Sequence, residues 1–588
     1  MKLRSFFSVL LSLVVVLLLT GAGGFYWIIA QSPLNLLEGG QAATPEAAIF
    51  VPKQAPVVVS LLVEPERLES FRQTVARPAE RQRTRAELEK FKQGLFASTG
   101  LNYQQDVEPW IGEEITFAVT ALDLDRDRSN GTQPGYLLAM ATKDPERSRE
   151  FLQLFWQKQA LIGTDLVFES YEGVNLIYGE QLQLQAIATA QSSDSAAETP
   201  AILPIPSLAT ALVADKFVLF ANHPKVLREA INNVQAPDLN LSHASFYTQA
   251  LGSMTHPRIG LTFVNLPSLA NLLSGQSPER PATASAFESY KTLAIALELN
   301  PKGLLAETAL QPISNEPIAA TLMGPVAALQ YIPLNSPLSA SGANLAQLWT
   351  GLGDSLSRYT IVSQLIQQPL ATLAKQWQID LEQEIFSWVK GEYALGLVPQ
   401  AVSPEEKSAA TRKALKPTND WIFVAQRSDP DAITHLDELA QQQGLSVGSF
   451  QLGEQTVSAW TKLTTTSRNN RTDKTLQAQV QGVHATVGDY EIFTSSLTAM
   501  DQALRSVESS LPTSDRFQQA TEPLQQPNNG YFYLDWDASR PLLEQQFPLL
   551  RIVELAGKPI FSHLRSLTLS SYGSASGVQR GGVLIRLE

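Results

Sequence analysis

Apolar and polar positions follow three patterns along this chain. The first is an unbroken run: Lys2 and Arg4 precede Phe6–Ala30, 25 residues without a formal charge. As a helix rising about 1.5 Å per residue it reaches about 37 Å, more than a hydrocarbon core of about 30 Å. The run predicts a transmembrane helix. The early positive residues place the N-terminus in the cytoplasm and the body outside, and Phe25, Tyr26 and Trp27 suit a membrane interface. A cleaved signal peptide competes, because Thr20, Gly21 and Ala22 are small. Against it, Phe25–Ile29 carries the apolar run past that point.

The second pattern is short strand-like stretches, and the third is apolar spacing of helical period. Both occur twice, in the same order. Trp110, Gly112 and Glu113 lead into Ile115–Val119, as Trp388, Gly391 and Glu392 lead into Tyr393–Val398. Gly135–Met140 runs into Asp144-Pro145 and a helical stretch, as Trp421–Ala425 runs into Asp429-Pro430 and another. Val213-Ala214-Asp215 precedes Phe217–Phe220, as Val487-Gly488-Asp489 precedes Glu491–Thr494. Asp before Pro is a helix start, since Asp accepts first-turn amides and Pro has none to leave unmet. Gly163 and Gly444 suit the helix ends, where a left-handed residue is needed.

The expected fold class is therefore α+β. An N-terminal transmembrane helix precedes two similar units, an internal duplication, each a mainly antiparallel sheet with helices packed on it. Residues 1–43 would be a cytoplasmic stub, the transmembrane anchor and a linker; 44–310 the first unit; 311–588 the second. Pro65–Ser98 reads as helical with a solvated basic face. Polar, loop-like stretches fall at matching places: Asp123–Pro134 with Ser403–Thr418, and Gln185–Ala201 with Thr464–Asp473.

Composition narrows the chemistry. The 588 residues hold 44 Lys plus Arg against 57 Asp plus Glu, a formal charge of -13, and 44% are hydrophobic. That apolar content suffices for packed cores, and the acidic balance argues against nucleic acid as a partner. With no cysteine, disulfides, thiol catalysis and zinc–cysteine sites are excluded.

The remaining motifs are mostly structural. The six histidines show no pair at ligand spacing, and His223 before Pro224 suits a helix start. Gly444-Leu445-Ser446-Val447-Gly448 spells a nucleophile elbow. Here, however, a helix ends and a strand follows, the reverse of the order that chemistry needs. Asp123, Asp125 and Asp127 resemble the start of a calcium loop, but Arg128 and Pro134 stand where Gly and Glu are required. Glu113 and Glu392 could serve as paired acid and base; a Glu binding a nearby backbone amide beside a core Trp is the structural alternative. No catalytic, cofactor or metal residue is expected, and Trp110, Gly112, Glu113, Trp388, Gly391 and Glu392 are expected as repeated structural positions.

The anchor, the Thr44–Pro52 opening, the Trp-x-Gly-Glu strand and the Asp-Pro helix start together resemble a cyanobacterial family. Its members are membrane-anchored proteins catalogued only as a domain of unknown function. The resemblance implies an envelope or thylakoid setting, with the body in the periplasm or thylakoid lumen, and brings no catalytic residues. The expected function is binding or assembly support, with the membrane contacted through Phe6–Ala30 and a protein partner. A carrier or sensor of an apolar or envelope ligand, or an enzyme using paired carboxylates, are the alternatives.

Overall fold

The computed structural model describes residues 44–63, 103–125, 133–161, 163–180, 208–254, 256–274, 290–300, 302–313, 319–346, 382–399, 419–467, 474–546, 561 and 564–587. The chain falls into two compact units, Met1–Leu299 with Ala309–Ile313, and Asn300–Thr308 with Ser314–Glu588.

The first unit opens with a 3-10 turn, Glu46–Phe50, and continues as β1 (Val57–Leu61), β2 (Ile111–Ala121), β3 (Gly135–Thr142) and α1 (Pro145–Leu161). Then come β4 (Asp165–Tyr171), β5 (Val174–Glu180), β6 (Ala209–Val213), β7 (Phe217–Ala221), α2 (Pro224–Gln235) and α3 (Ser245–Ser253). It ends with β8 (Gly260–Asn265), α4 (Leu266–Ser274) and β9 (Tyr290–Asn300). Its strands pair antiparallel in the order β9-β8-β1-β2-β3-β7-β6-β5-β4. β10 (Gly303–Pro312) is divided between the units.

The second unit runs through the same succession. After a 3-10 turn, Ala327–Tyr331, come β11 (Leu338–Gly342), β12 (Tyr393–Pro399), β13 (Asn419–Gln426) and α5 (Pro430–Gln442). β14 (Ser446–Leu452), β15 (Gln455–Ser467), β16 (Lys474–Val487), β17 (Tyr490–Thr494), α6 (Leu497–Arg505) and α7 (Asp515–Thr521) follow. β18 (Gly530–Asp535), α8 (Trp536–Gln546), β19 (Leu564–Ala575) and β20 (Val578–Leu587) close the chain. The antiparallel order is β20-β19-β18-β11-β12-β13-β17-β16-β15-β14.

The expected fold class needs one correction. Among the described residues the protein is mostly antiparallel sheet, with twenty strands and few helices, so the expected α+β class gives way to a mainly β one. The helical-period stretches are short covers, the longest described one 17 residues. Strands, by contrast, recruit further strands, because an unpaired edge leaves a row of N–H and C=O groups unmet. Among the described residues no helix is long and apolar enough to cross a membrane. Phe6–Ala30 lies outside the described residues, as do Pro65–Ser98, Gln185–Ala201, Ser403–Thr418 and Asp127. Thr464–Ser467, read as part of a polar insertion, instead continues β15 by pairing with Lys474–Gln477.

The apolar runs lack alternation because helices cover both faces of the central strands. Leu137, Ala139 and Leu219 pack under Val226, Leu227, Ala230 and Ile231 of α2. Met140 and Val218, on the opposite face, meet Phe151, Leu152, Phe155 and Trp156 of α1. In the second unit Ile422, Val424 and Ile492 pack under Ala499, Met500 and Ala503 of α6. Phe423 and Phe493 pack under Leu436 and Ala440 of α5. Each large apolar side chain so buried contributes about 1.5–3 kcal/mol.

The helix starts behave as their chemistry dictates. Asp144 Oδ1 accepts the amides of Glu146 and Arg147, each at 3.1 Å. Asp429 Oδ1 accepts that of Asp431 at 3.0 Å, and His223 Nδ1 accepts that of Lys225 at 3.1 Å. Gly444 has φ +78° and leads into strand β14, so Ser446 does not stand on a strand-to-helix elbow. Gly530 has φ +122°, and a Cβ there would run into the Ser341 carbonyl oxygen, so only glycine fits.

Candidate functional site

Trp110 and Trp388 each follow a single π-helical turn, Tyr103–Val107 and Glu382–Phe386. Their indole N–H groups donate to carbonyls four residues back, Trp110 to Asp106 at 2.8 Å and Trp388 to Glu384 at 2.9 Å. Both rings are core, Trp110 against Phe151 and Trp388 with Phe423 and Phe493. Gly112 lies against Ala141, where a Cβ would sit 3.2 Å from its carbonyl oxygen, and Gly391 lies against the Gln426 side chain.

The acidic residues of the motif do different things. Glu392 is half-buried; its Oε2 accepts the amides of Ala327 at 2.9 Å and Ala328 at 3.4 Å, and the Tyr490 hydroxyl at 3.1 Å. It thus caps the 3-10 turn that opens its unit. In the first unit this task falls to Glu114, while Glu113 is exposed. Glu114 Oε2 accepts the Glu46 amide at 2.8 Å; its Oε1 accepts the Ala47 amide and the Thr116 hydroxyl, each at 2.9 Å. Burial pushes the Glu114 pKa up, against these hydrogen bonds, which favour the charged form.

Counting forward from Trp picks Glu113. Counting back from the ladder picks Glu114, because Ile115 faces Leu61 as Tyr393 faces Gly342. Alternation along Ile111–Ala121 was the available signal, since it puts Glu114, Thr116 and Ala118 on the inward face.

Glu114→Ala leaves two amides of the opening turn without their acceptor. It is expected to cost about 1–3 kcal/mol, read by denaturant unfolding together with faster exchange of the Ala47 amide. Unchanged stability and exchange would show that the turn seats without the carboxyl group.

The most concentrated polar chemistry lies elsewhere, in residues the motif reading passed over. His484 on β16, 5% exposed, stands between two carboxyl groups. Its Nδ1 is 3.0 Å from Glu491 Oε1 on β17, and its Nε2 is 3.0 Å from Asp437 Oδ1 on α5. Asp437 also accepts the Trp460 indole N–H at 2.7 Å, and Glu491, fully buried, accepts the Thr486 hydroxyl at 2.7 Å. Burial alone would lower the imidazole pKa. The hydrogen bonds and charges of Asp437 and Glu491 outweigh it and raise the value to about 9. Burial likewise acts to raise Asp437, but His484 and Trp460 hold it below the usual carboxyl range. A histidine bound at both nitrogens is a cation donating two hydrogen bonds; it has no free nitrogen to act as a base.

Of the acidic loop, Asp123 Oδ1 accepts the Gln133 amide at 3.2 Å, which closes the loop on itself. Asp123 also borders an open cleft of about 400 Å³ with Gln54, Pro56, Thr120, Ala121, Leu122 and Ser268. Among the described residues no group of His, Asp and Glu is placed to hold a metal ion.

One family model, described as a protein of unknown function (DUF3352), matches residues 10–587. The chain belongs to the DUF3352 family. No curated protein and no solved structure matches it. The match takes in the 3-10 turns that open the two units, the carboxylates that cap them and the His484 cluster of this DUF3352 chain.

Proposed function

We propose that the chain is a membrane-tethered binding or assembly-support protein whose body lies outside the cytoplasm and receives a protein partner. The observation that carries this reading is an exposed aromatic pair on the sheet of the first unit. Phe117 on β2 and Tyr136 on β3 stack with ring centroids 6.0 Å apart and planes 21° from parallel. They are 41% and 40% exposed. Aromatic side chains bring large contact area at small entropic cost and are enriched at protein interfaces. The strand backbone beneath the pair is held at Tyr136, whose amide donates to Asn222 Oδ1 at 2.7 Å.

The tether is the uncharged run Phe6–Ala30 behind Lys2 and Arg4, and the periplasmic or lumenal setting follows from the resemblance to membrane-anchored cyanobacterial proteins. The formal charge of -13 disfavours close approach to anionic lipid, which favours a protein contact over the membrane surface itself.

The test is crosslinking in native membranes with wild type and with Phe117→Ser/Tyr136→Ser. The wild type should fractionate with membranes and yield a discrete crosslinked species that the double variant loses at normal abundance. A folded double variant that keeps every crosslink, or a wild type found free of membranes, would remove the reading.

A further inference from the structure

The Asp437–His484–Glu491 cluster goes beyond this reading, because the first unit has neutral residues at the matching ladder positions. In the second unit His484 faces Phe493 across the β16–β17 ladder, and Thr486 faces Glu491. In the first unit the equivalent ladder pairs Thr210 with Phe220 and Leu212 with Val218. There Thr210 simply accepts the indole N–H of Trp156 from α1 at 2.7 Å, and Val218 is part of the apolar core. One unit thus seats its helix with a neutral hydrogen bond and a valine. The other uses a buried cation between two carboxyl groups. Buried ion networks are weak sources of stability, since desolvation offsets their attraction. What such a network adds is dependence on protonation.

We infer that Asp437, His484 and Glu491 form a proton-operated latch, in which the charged imidazole seats helix α5 on the sheet of the second unit and loss of its proton loosens that helix. Asp437 is the helix's contribution, and its side chain is 25% exposed, so it lies at the margin where separation begins. The facing groups from the sheet are Trp460 on β15, Thr486 on β16 and Glu491 with Phe493 on β17. A second histidine on α5, His435, points elsewhere, to Glu384 Oε2 at 3.0 Å. Apolar contacts of Leu436 and Ala440 also hold α5, so the latch biases the helix rather than creating it.

The direction of the effect follows from proton linkage. With α5 seated, His484 keeps its proton up to about pH 9, whereas a solvated imidazole loses it near about 6.5. Between these values the seated state holds the extra proton, so raising the pH favours release. Below this window the stabilisation is complete, and above about pH 9 it is gone. Glu491 stays beside His484 when α5 lifts and keeps part of the proton affinity, so the change is concentrated in the upper part of this window and the opening equilibrium grows by at most about tenfold per pH unit.

Hydrogen exchange of the full-length chain, corrected for the intrinsic pH dependence of amide exchange, tests this. Protection of the α5 amides should fall between about pH 6.5 and pH 9 and then level off, while protection of α6 stays constant. His435→Gln should preserve this profile. Asp437→Asn should lower α5 protection at the acid end and flatten its pH response. Protection of α5 that is flat in the wild type, that falls in parallel with α6, or that loses its pH dependence in His435→Gln would overturn the latch.

Discussion

Trp110→Ala is expected to destabilise the first unit by about 3–5 kcal/mol, the usual cost of emptying a large aromatic site in a packed core. The ring is 1% exposed, packs at 5.0 Å from Phe151, and lies in one cluster with Met140, Phe155 and Trp156. The indole also closes the π-helical turn by donating to the Asp106 carbonyl, so its removal leaves a cavity and deletes that hydrogen bond. Trp388→Ala should act alike on the second unit, somewhat more weakly because that ring is 8% exposed. Two units can unfold separately, so the measurement should be hydrogen exchange resolved by unit rather than one melting temperature. Each substitution should raise exchange mainly in its own unit. Variants that keep wild-type protection and abundance would show that these rings are not core supports.

The second large effect concerns His484. His484→Leu removes the cation and leaves Asp437 and the fully buried Glu491 facing an apolar group. Breaking a buried pair from one side costs about 3–5 kcal/mol. His484→Thr combined with Glu491→Val places at these two positions the neutral residues that the first unit has in Thr210 and Val218, without the indole donor that Trp156 supplies there. Asp437 then keeps the Trp460 indole and its partial exposure. The double variant should recover most of the loss in denaturant unfolding at neutral pH. If it proves as unstable as His484→Leu, the cluster stabilises the fold and does more than respond to protons.

Part of this protein could be read from local pattern alone. Asp144, Asp429 and His223 cap helices because a side-chain acceptor two or three residues ahead of free amides is a local relationship, independent of the rest of the chain. The apolar runs at Gly135–Met140 and Phe217–Phe220 became central strands, and Gly163 and Gly444 took the left-handed conformation expected of them. Composition excluded every cysteine chemistry outright.

The rest was decided by contacts distant in the chain. Nothing local separates Glu113 from Glu114; the ladder that pairs Ile115 with Leu61 turns the second inward, beneath amides 67 and 68 residues away. His484 looked like an isolated histidine, because Asp437 lies 47 residues off on a helix and only folding brings it within 3.0 Å. The weight of sheet over helix was likewise hidden. Thr464–Ser467 is polar enough for a loop, yet Lys474–Gln477 supplies the backbone partners that make it strand. Sequence periodicity reports which face a residue shows, and capping chemistry reports where helices begin. Which strand lies alongside, and which buried charge is neutralised by which, depends on partners that the tertiary structure alone brings together.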